Sequence, residues 1–164
     1  MVVYIVRHAV AVERGSASYP NDDRPLTDDG RDKMAKAAKA IAKQVGHIDR
    51  FISSPLIRAH ETAKIVARAF GDEKSVELCD ELAPGKSLRS LLTALSAYKA
   101  LNSILIVGHQ PDLGYLASAL LGSTESIIEF KKGAVCAIEL STLPPKGSGT
   151  LLWHLQPKQL RALA

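Results

Sequence analysis

Hydrophobic and polar positions fall into alternating blocks along this chain, and the period of the apolar residues changes from block to block. Val2 to Val6 is an uninterrupted apolar run rich in β-branched side chains, the pattern of a strand covered on both faces. A polar stretch from Ala11 to Leu26 follows, long for a connection without structure of its own and therefore a candidate for a functional loop. Thr27 reads as a helix N-cap, with Asp28 and Asp29 in the first turn. Met34, Ala38, Ile41 and Val45 then recur at helical spacing, and Gly46 closes the helix.

Phe51 to Ser53 reads as a short strand running into Ser54-Pro55, which predicts an N-cap followed by proline at the first helical position. Leu56, Ala59, Ala63, Val66 and Phe70 give that helix one apolar face, and Gly71 ends it. Val76 to Leu78 is the next strand, and Leu88, Leu91, Leu92, Leu95 and Tyr98 mark the next helix. Ser103 to Val107 is a second strongly apolar strand ending at Gly108-His109, with Pro111 opening a helix that carries Leu113, Leu116, Ala117 and Leu120 and closes at Gly122. Ala134 to Leu140 and Thr150 to Leu155 are strands joined by a Pro- and Gly-rich connection, which predicts a C-terminal hairpin. Strand and helix alternate before that hairpin, so the expected architecture is a three-layer α/β/α sandwich with a mainly parallel central sheet. No repeat or linker interrupts the 164 residues, and a single domain over 1–164 is expected.

Composition narrows the partners. With 46% hydrophobic and 23% charged residues the chain has the make-up of an ordinary soluble globular protein. No apolar stretch is long enough to span a bilayer, and the first residues carry no basic leader, so neither membrane nor secretion is expected. Cys79 and Cys136 stand alone, which fits a reducing cytoplasm and no structural metal. The net charge of +4 admits an anionic partner, but Lys36, Lys39 and Lys43 lie at helical spacing and read as a solvated face. Only 5% of residues are aromatic and none interleave with basic clusters, so nucleic acid is not an expected ligand.

The chemistry lies at strand ends. In open α/β sheets ligands collect beyond the carboxyl ends of the strands. Here the first strand ends in Arg7-His8, the second leads to Arg58 in the first turn of a helix, and the strand near residue 105 ends in Gly108-His109. A neutral imidazole can attack phosphorus and carry the phosphoryl group as a phosphoramidate. Planar guanidinium groups and a helix N-terminus suit the charge spread over the transferring oxygens. Metal binding is the rival chemistry, but no His-x-His or His-Glu-x-x-His spacing occurs, so no metal or other cofactor is expected. His47, His60 and His154 lack a strand-end setting and are assigned no role.

Five segments together resemble the histidine phosphatase superfamily, and within it the short SixA-type branch: Val6-Arg7-His8-Ala9, Arg24-Pro25-Leu26-Thr27-x-x-Gly30, Ser53-Ser54-Pro55-Leu56-x-Arg58-Ala59-x-x-Thr62, Glu81-Leu82-x-Pro84 and Val107-Gly108-His109-x-Pro111. The resemblance implies a phosphoglycerate mutase-like fold and phosphatase activity. It implies that His8 is the phosphorylated nucleophile, that Arg7, Arg58 and His109 surround the phosphate, and that Arg24 is a further phosphate ligand. Ala9 stands where the superfamily usually has glycine. The Arg-x-Pro of acid phosphatases is replaced by Val10-Ala11-Val12, and Gln110 follows His109 where those enzymes have aspartate. These absences, with that of the mutase branch's Glu-Ser and asparagine pattern and the short chain, disfavour phytase-like and mutase-like activity and leave the general acid open, with Glu81 the first candidate and Asp112 and Glu13 behind it.

Three functions fit these residues. The leading expectation is a phosphohistidine phosphatase acting on a phosphorelay protein, such as a histidine phosphotransfer domain, through a phosphohistidine enzyme intermediate. A phosphatase of a small phosphorylated metabolite and a non-catalytic phosphate-binding module are the alternatives. A monomer is expected, because the apolar segments are accounted for by the core.

Overall fold

The computed structural model describes residues 1–72 and 75–164. Six strands form one sheet in the order β3-β2-β4-β1-β5-β6, with β1 Val2–Arg7, β2 Arg50–Ser53, β3 Val76–Leu78, β4 Ser103–Gly108, β5 Val135–Glu139 and β6 Thr150–Leu155. The four strands β3, β2, β4 and β1 are mutually parallel. β5 joins β1 antiparallel and β6 pairs antiparallel with β5, which is the expected hairpin.

The unbroken apolar runs of β1 and β4 have their cause in two covering layers. Val3, Ile5, Ile104 and Ile106 pack on one side with Leu91 and Leu95 of α3 (Leu88–Leu95) and Leu113 and Leu116 of α4 (Asp112–Leu120). Val6, Leu105 and Val107 pack on the other with Met34, Ala38 and Ile41 of α1 (Asp28–Val45), with Ala59, Ala63 and Val66 of α2 (Ile57–Ala69), and with Leu160 of α5 (Pro157–Ala162). The three-layer sandwich is therefore observed as expected, and alternate side chains of one strand feed two separate cores.

Local signals hold at α1. The Thr27 hydroxyl accepts from the Gly30 amide at 3.0 Å, and Gly46, at φ 80°, donates its N–H to the Ala42 carbonyl. They fail at α2. Ser54 and Pro55 do not open that helix, which begins at Ile57 with Leu56 before it and no side-chain cap. Ser54 instead stays in the sheet, donating its N–H to the Val107 carbonyl at 2.9 Å, and its hydroxyl faces His109. α5 was not foreseen either: six residues with Leu160 alone buried leave no periodicity to read.

Candidate active site

The sheet register sets the site. β1 and β4 are adjacent and parallel, with Arg7 opposite Gly108, so the next residue on each strand, His8 and His109, emerges at the same carboxyl edge. The His8 amide extends the ladder to the Gly108 carbonyl at 3.1 Å. The two imidazole centroids lie 5.1 Å apart, both rings buried. β2 lies on the other side of β4 and delivers Ser54 to the same edge, where its Oγ sits 2.8 Å from Nε2 of His109.

The tautomer of His8 follows from its partner. Nδ1 lies 2.7 Å from the Ala9 carbonyl oxygen, which only accepts, so Nδ1 carries the proton and Nε2 keeps its lone pair. Burial lowers the His8 pKa from 6.5 to about 4. The Ala9 carbonyl opposes that shift, and the charges of Arg58, Arg7 and Lys132 add to it. His109 is lowered to about 3 by burial, by His8 and by Arg58 and Arg7, against the raising effect of Asp22. Both imidazoles are therefore neutral at pH 7.

The backbone around His8 is pinned by Gly133 and by Thr62. Gly133 N–H donates to the carbonyls of Arg7 and His8 at 3.0 and 3.1 Å. The Ala9 N–H donates to Thr62 Oγ1 at 3.0 Å, and the same hydroxyl donates to the Arg58 carbonyl at 2.7 Å. Thr62 thus ties the residue after the nucleophile candidate to the first turn of α2.

Arg7 and Arg58 act on both imidazoles, Arg24 is linked to Arg58 through Asp22, and each of the three is anchored differently. Arg7 donates from Nη1 to the Phe130 carbonyl at 2.6 Å. Arg58, only 2% exposed, donates from Nη1 to the Asp22 carbonyl and from Nη2 to its Oδ2, both at 3.2 Å. Arg24 donates from Nε to Asp22 Oδ1 at 2.5 Å and from Nη1 to the Val12 carbonyl at 2.7 Å. The Nε atoms of Arg7 and Arg58 and Nδ1 of His109 are buried with no hydrogen-bond partner among the described residues. Buried nitrogens are rarely left unmatched, and three of them around one imidazole pair suit an incoming oxyanion.

Glu81 and Asp112 line a cavity of about 160 Å³ beside His109, floored by Leu82, Leu88, Leu91 and Leu113. Glu81 accepts a hydrogen bond from the Cys79 thiol at 3.3 Å, and Asp112 accepts from the Gly85 amide at 3.2 Å. Glu13 is exposed on the long loop and does not line this cavity. Ser54, Thr62, Lys132 and Asp22 escaped assignment from sequence. The first two lie inside the quoted segment from Ser53 to Thr62, so the motif carried a signal for them; Lys132 and Asp22 had none.

The histidine phosphatase superfamily (branch 1) model matches residues 3–83. Phosphohistidine phosphatase SixA of Escherichia coli K12 is 31% identical over 165 residues, covering 98% of this chain and 97% of its own. An uncharacterized protein of Picosynechococcus sp. PCC 7002 is 36% identical over 143 residues, 84% of either chain. The solved structure of the protein histidine phosphatase SixA complexed with tungstate aligns with a TM-score of 0.84 at 29% identity, covering 98% of this chain and 99% of that one. With the fold, the strand-end histidines and near full-length similarity in agreement, the chain belongs to the histidine phosphatase superfamily.

Proposed function

We propose that this protein is a phosphohistidine phosphatase that takes its phosphoryl group from a histidine of a phosphorelay protein and passes it to water through His8. The observation that carries the reading is the state of His8: neutral, buried, and fixed by the Ala9 carbonyl in the tautomer whose Nε2 is free to attack. In the first step a bond forms between His8 Nε2 and phosphorus while the bond from phosphorus to the substrate imidazole breaks. Arg7, Arg58, Arg24 and the neutral His109 supply donors and charge for the phosphoryl oxygens. In the second step water attacks phosphorus, the bond to Nε2 breaks, and inorganic phosphate leaves with His8 restored.

The leaving group explains why a strong acid is not required. A phosphoimidazole protonated on its other ring nitrogen departs as neutral imidazole, whereas an alkyl ester departs as an alkoxide unless an acid protonates it. Glu81, which lines the cavity beside His109 together with Asp112, is the first candidate to lend a proton where one is needed. Similarity to phosphohistidine phosphatase SixA of E. coli supports the same substrate class.

Rapid-quench labelling tests the mechanism. A histidine phosphotransfer domain phosphorylated on histidine with labelled phosphate should give an acid-labile phosphoenzyme with the native protein and none with His8→Ala. Turnover unchanged by His8→Ala would remove His8 from the mechanism. Faster turnover of a simple alkyl phosphate than of the phosphohistidine protein would reverse the substrate preference.

A further inference from the structure

Asp22 has no part in the chemistry above, yet it holds two of the proposed phosphate ligands. It lies on the long loop before α1 in the left-handed region, at φ 61°, and is the described non-glycine residue with positive φ. Both of its carboxylate oxygens are taken by guanidinium groups: Oδ1 by Arg24 Nε at 2.5 Å and Oδ2 by Arg58 Nη2 at 3.2 Å, with Arg14 Nη2 at 3.9 Å from Oδ2. Among the described residues no other acidic side chain pairs with Arg24 or Arg58. Arg58 is 2% exposed, and a guanidinium buried to that degree is costly without a counter-charge. Burial pushes the Asp22 carboxyl up, but the hydrogen bond from Arg24 and the charges of Arg58, Arg24 and Arg14 outweigh it and hold the group below the usual carboxylate range. The carboxylate is therefore an anion at neutral pH, bound by two of the guanidinium groups proposed to hold the phosphoryl group.

We propose that Asp22 is a built-in counter-ion that neutralises Arg24 and Arg58 in the unliganded enzyme and yields them to the incoming phosphoryl group. The inference rests on the reading that these two arginines bind phosphate. Two anions cannot share the same guanidinium groups without repelling each other, so an arriving dianion competes with Asp22 for them. The competition falls hardest on free phosphate, which has only its own oxygens to offer. A phosphorylated protein brings further contacts and displaces the carboxylate at smaller loss. Asp22 thereby weakens retention of the product while leaving the substrate able to enter.

The test is binding of inorganic phosphate, followed by calorimetry and by thermal denaturation, to the native protein, Asp22→Asn and Asp22→Gly. Asparagine and glycine both tolerate the left-handed backbone, so either variant removes the charge without straining the loop. The expected result is phosphate binding about tenfold tighter in both variants, equivalent to about 1.4 kcal/mol. Their unliganded Tm should fall, and saturating phosphate should restore it. Phosphate binding that is unchanged or weaker in the variants would overturn the inference, because Asp22 would then be positioning the arginines for phosphate rather than competing with it. No saturable phosphate binding by any of the three proteins would sink the phosphate-site reading itself, and the inference with it.

Discussion

Acidifying the protein from pH 7 to pH 5 should destabilise it through the two imidazoles at the sheet edge. His8 and His109 are lowered from 6.5 to about 4 and about 3 in the folded state. Between pH 6.5 and about 4 the unfolded chain therefore takes up protons that the folded pair refuses. Stability contributed by the neutral pair is full at pH 7 and falls as the pH falls through that window. At pH 5, about 1.5 units below the ordinary value, each imidazole costs about 2 kcal/mol at about 1.36 kcal/mol per unit. Other groups titrate in the same range, so the informative quantity is a difference between proteins. His8→Asn removes the titrating group and keeps a side-chain N–H for the Ala9 carbonyl. Urea unfolding at pH 7 and pH 5 in phosphate-free buffer, followed by fluorescence of the single Trp153, gives that difference. The variant should lose about 2 kcal/mol less than the native protein on acidification, and His109→Gln should behave alike. Equal losses in the native protein and both variants would show that the pair is not held neutral, and the account of His8 as a free-base nucleophile would fall with it.

Two further outcomes follow from the same geometry. Arg58→Lys keeps the charge but loses the planar fork that suits phosphoryl oxygens, so kcat/KM on the phosphohistidine protein should drop about 100-fold; a change of less than about threefold would mean that charge alone suffices. Gly30→Ala raises helix propensity by about 1 kcal/mol, yet its Cβ would overlap the Val10 carbonyl oxygen and crowd Thr27 Oγ1. Urea unfolding should show a net loss of about 2 kcal/mol, and a gain in stability would contradict the close packing of α1 against the segment after His8.

The elements that the chain's own pattern determines are those whose signals are local. Continuous β-branched runs at Val2–Val6 and Ser103–Val107 need cover on both faces, and that requirement alone implies helices above and below a parallel sheet. Thr27 and Gly46 bound α1 by forces acting within one turn, and the structure finds both where the sequence puts them. His8, His109 and Arg58 were legible because each ends a strand or opens a helix beside a short motif. Tertiary structure alone decided the rest, because it turns on pairings between remote segments. Placing β4 between β1 and β2 brings two imidazoles a hundred residues apart to 5.1 Å. The same neighbour relation brings the Ser54 hydroxyl to His109 while it also accepts from the Leu56 amide, and α2 itself begins only at Ile57. Asp22 meets Arg58 across 36 residues of chain, and no periodicity or propensity encodes that meeting. Local sequence decides most of the strands and helices, whereas ion pairing and the depressed imidazole pKa values depend on distance and burial, which exist only once the segments have packed.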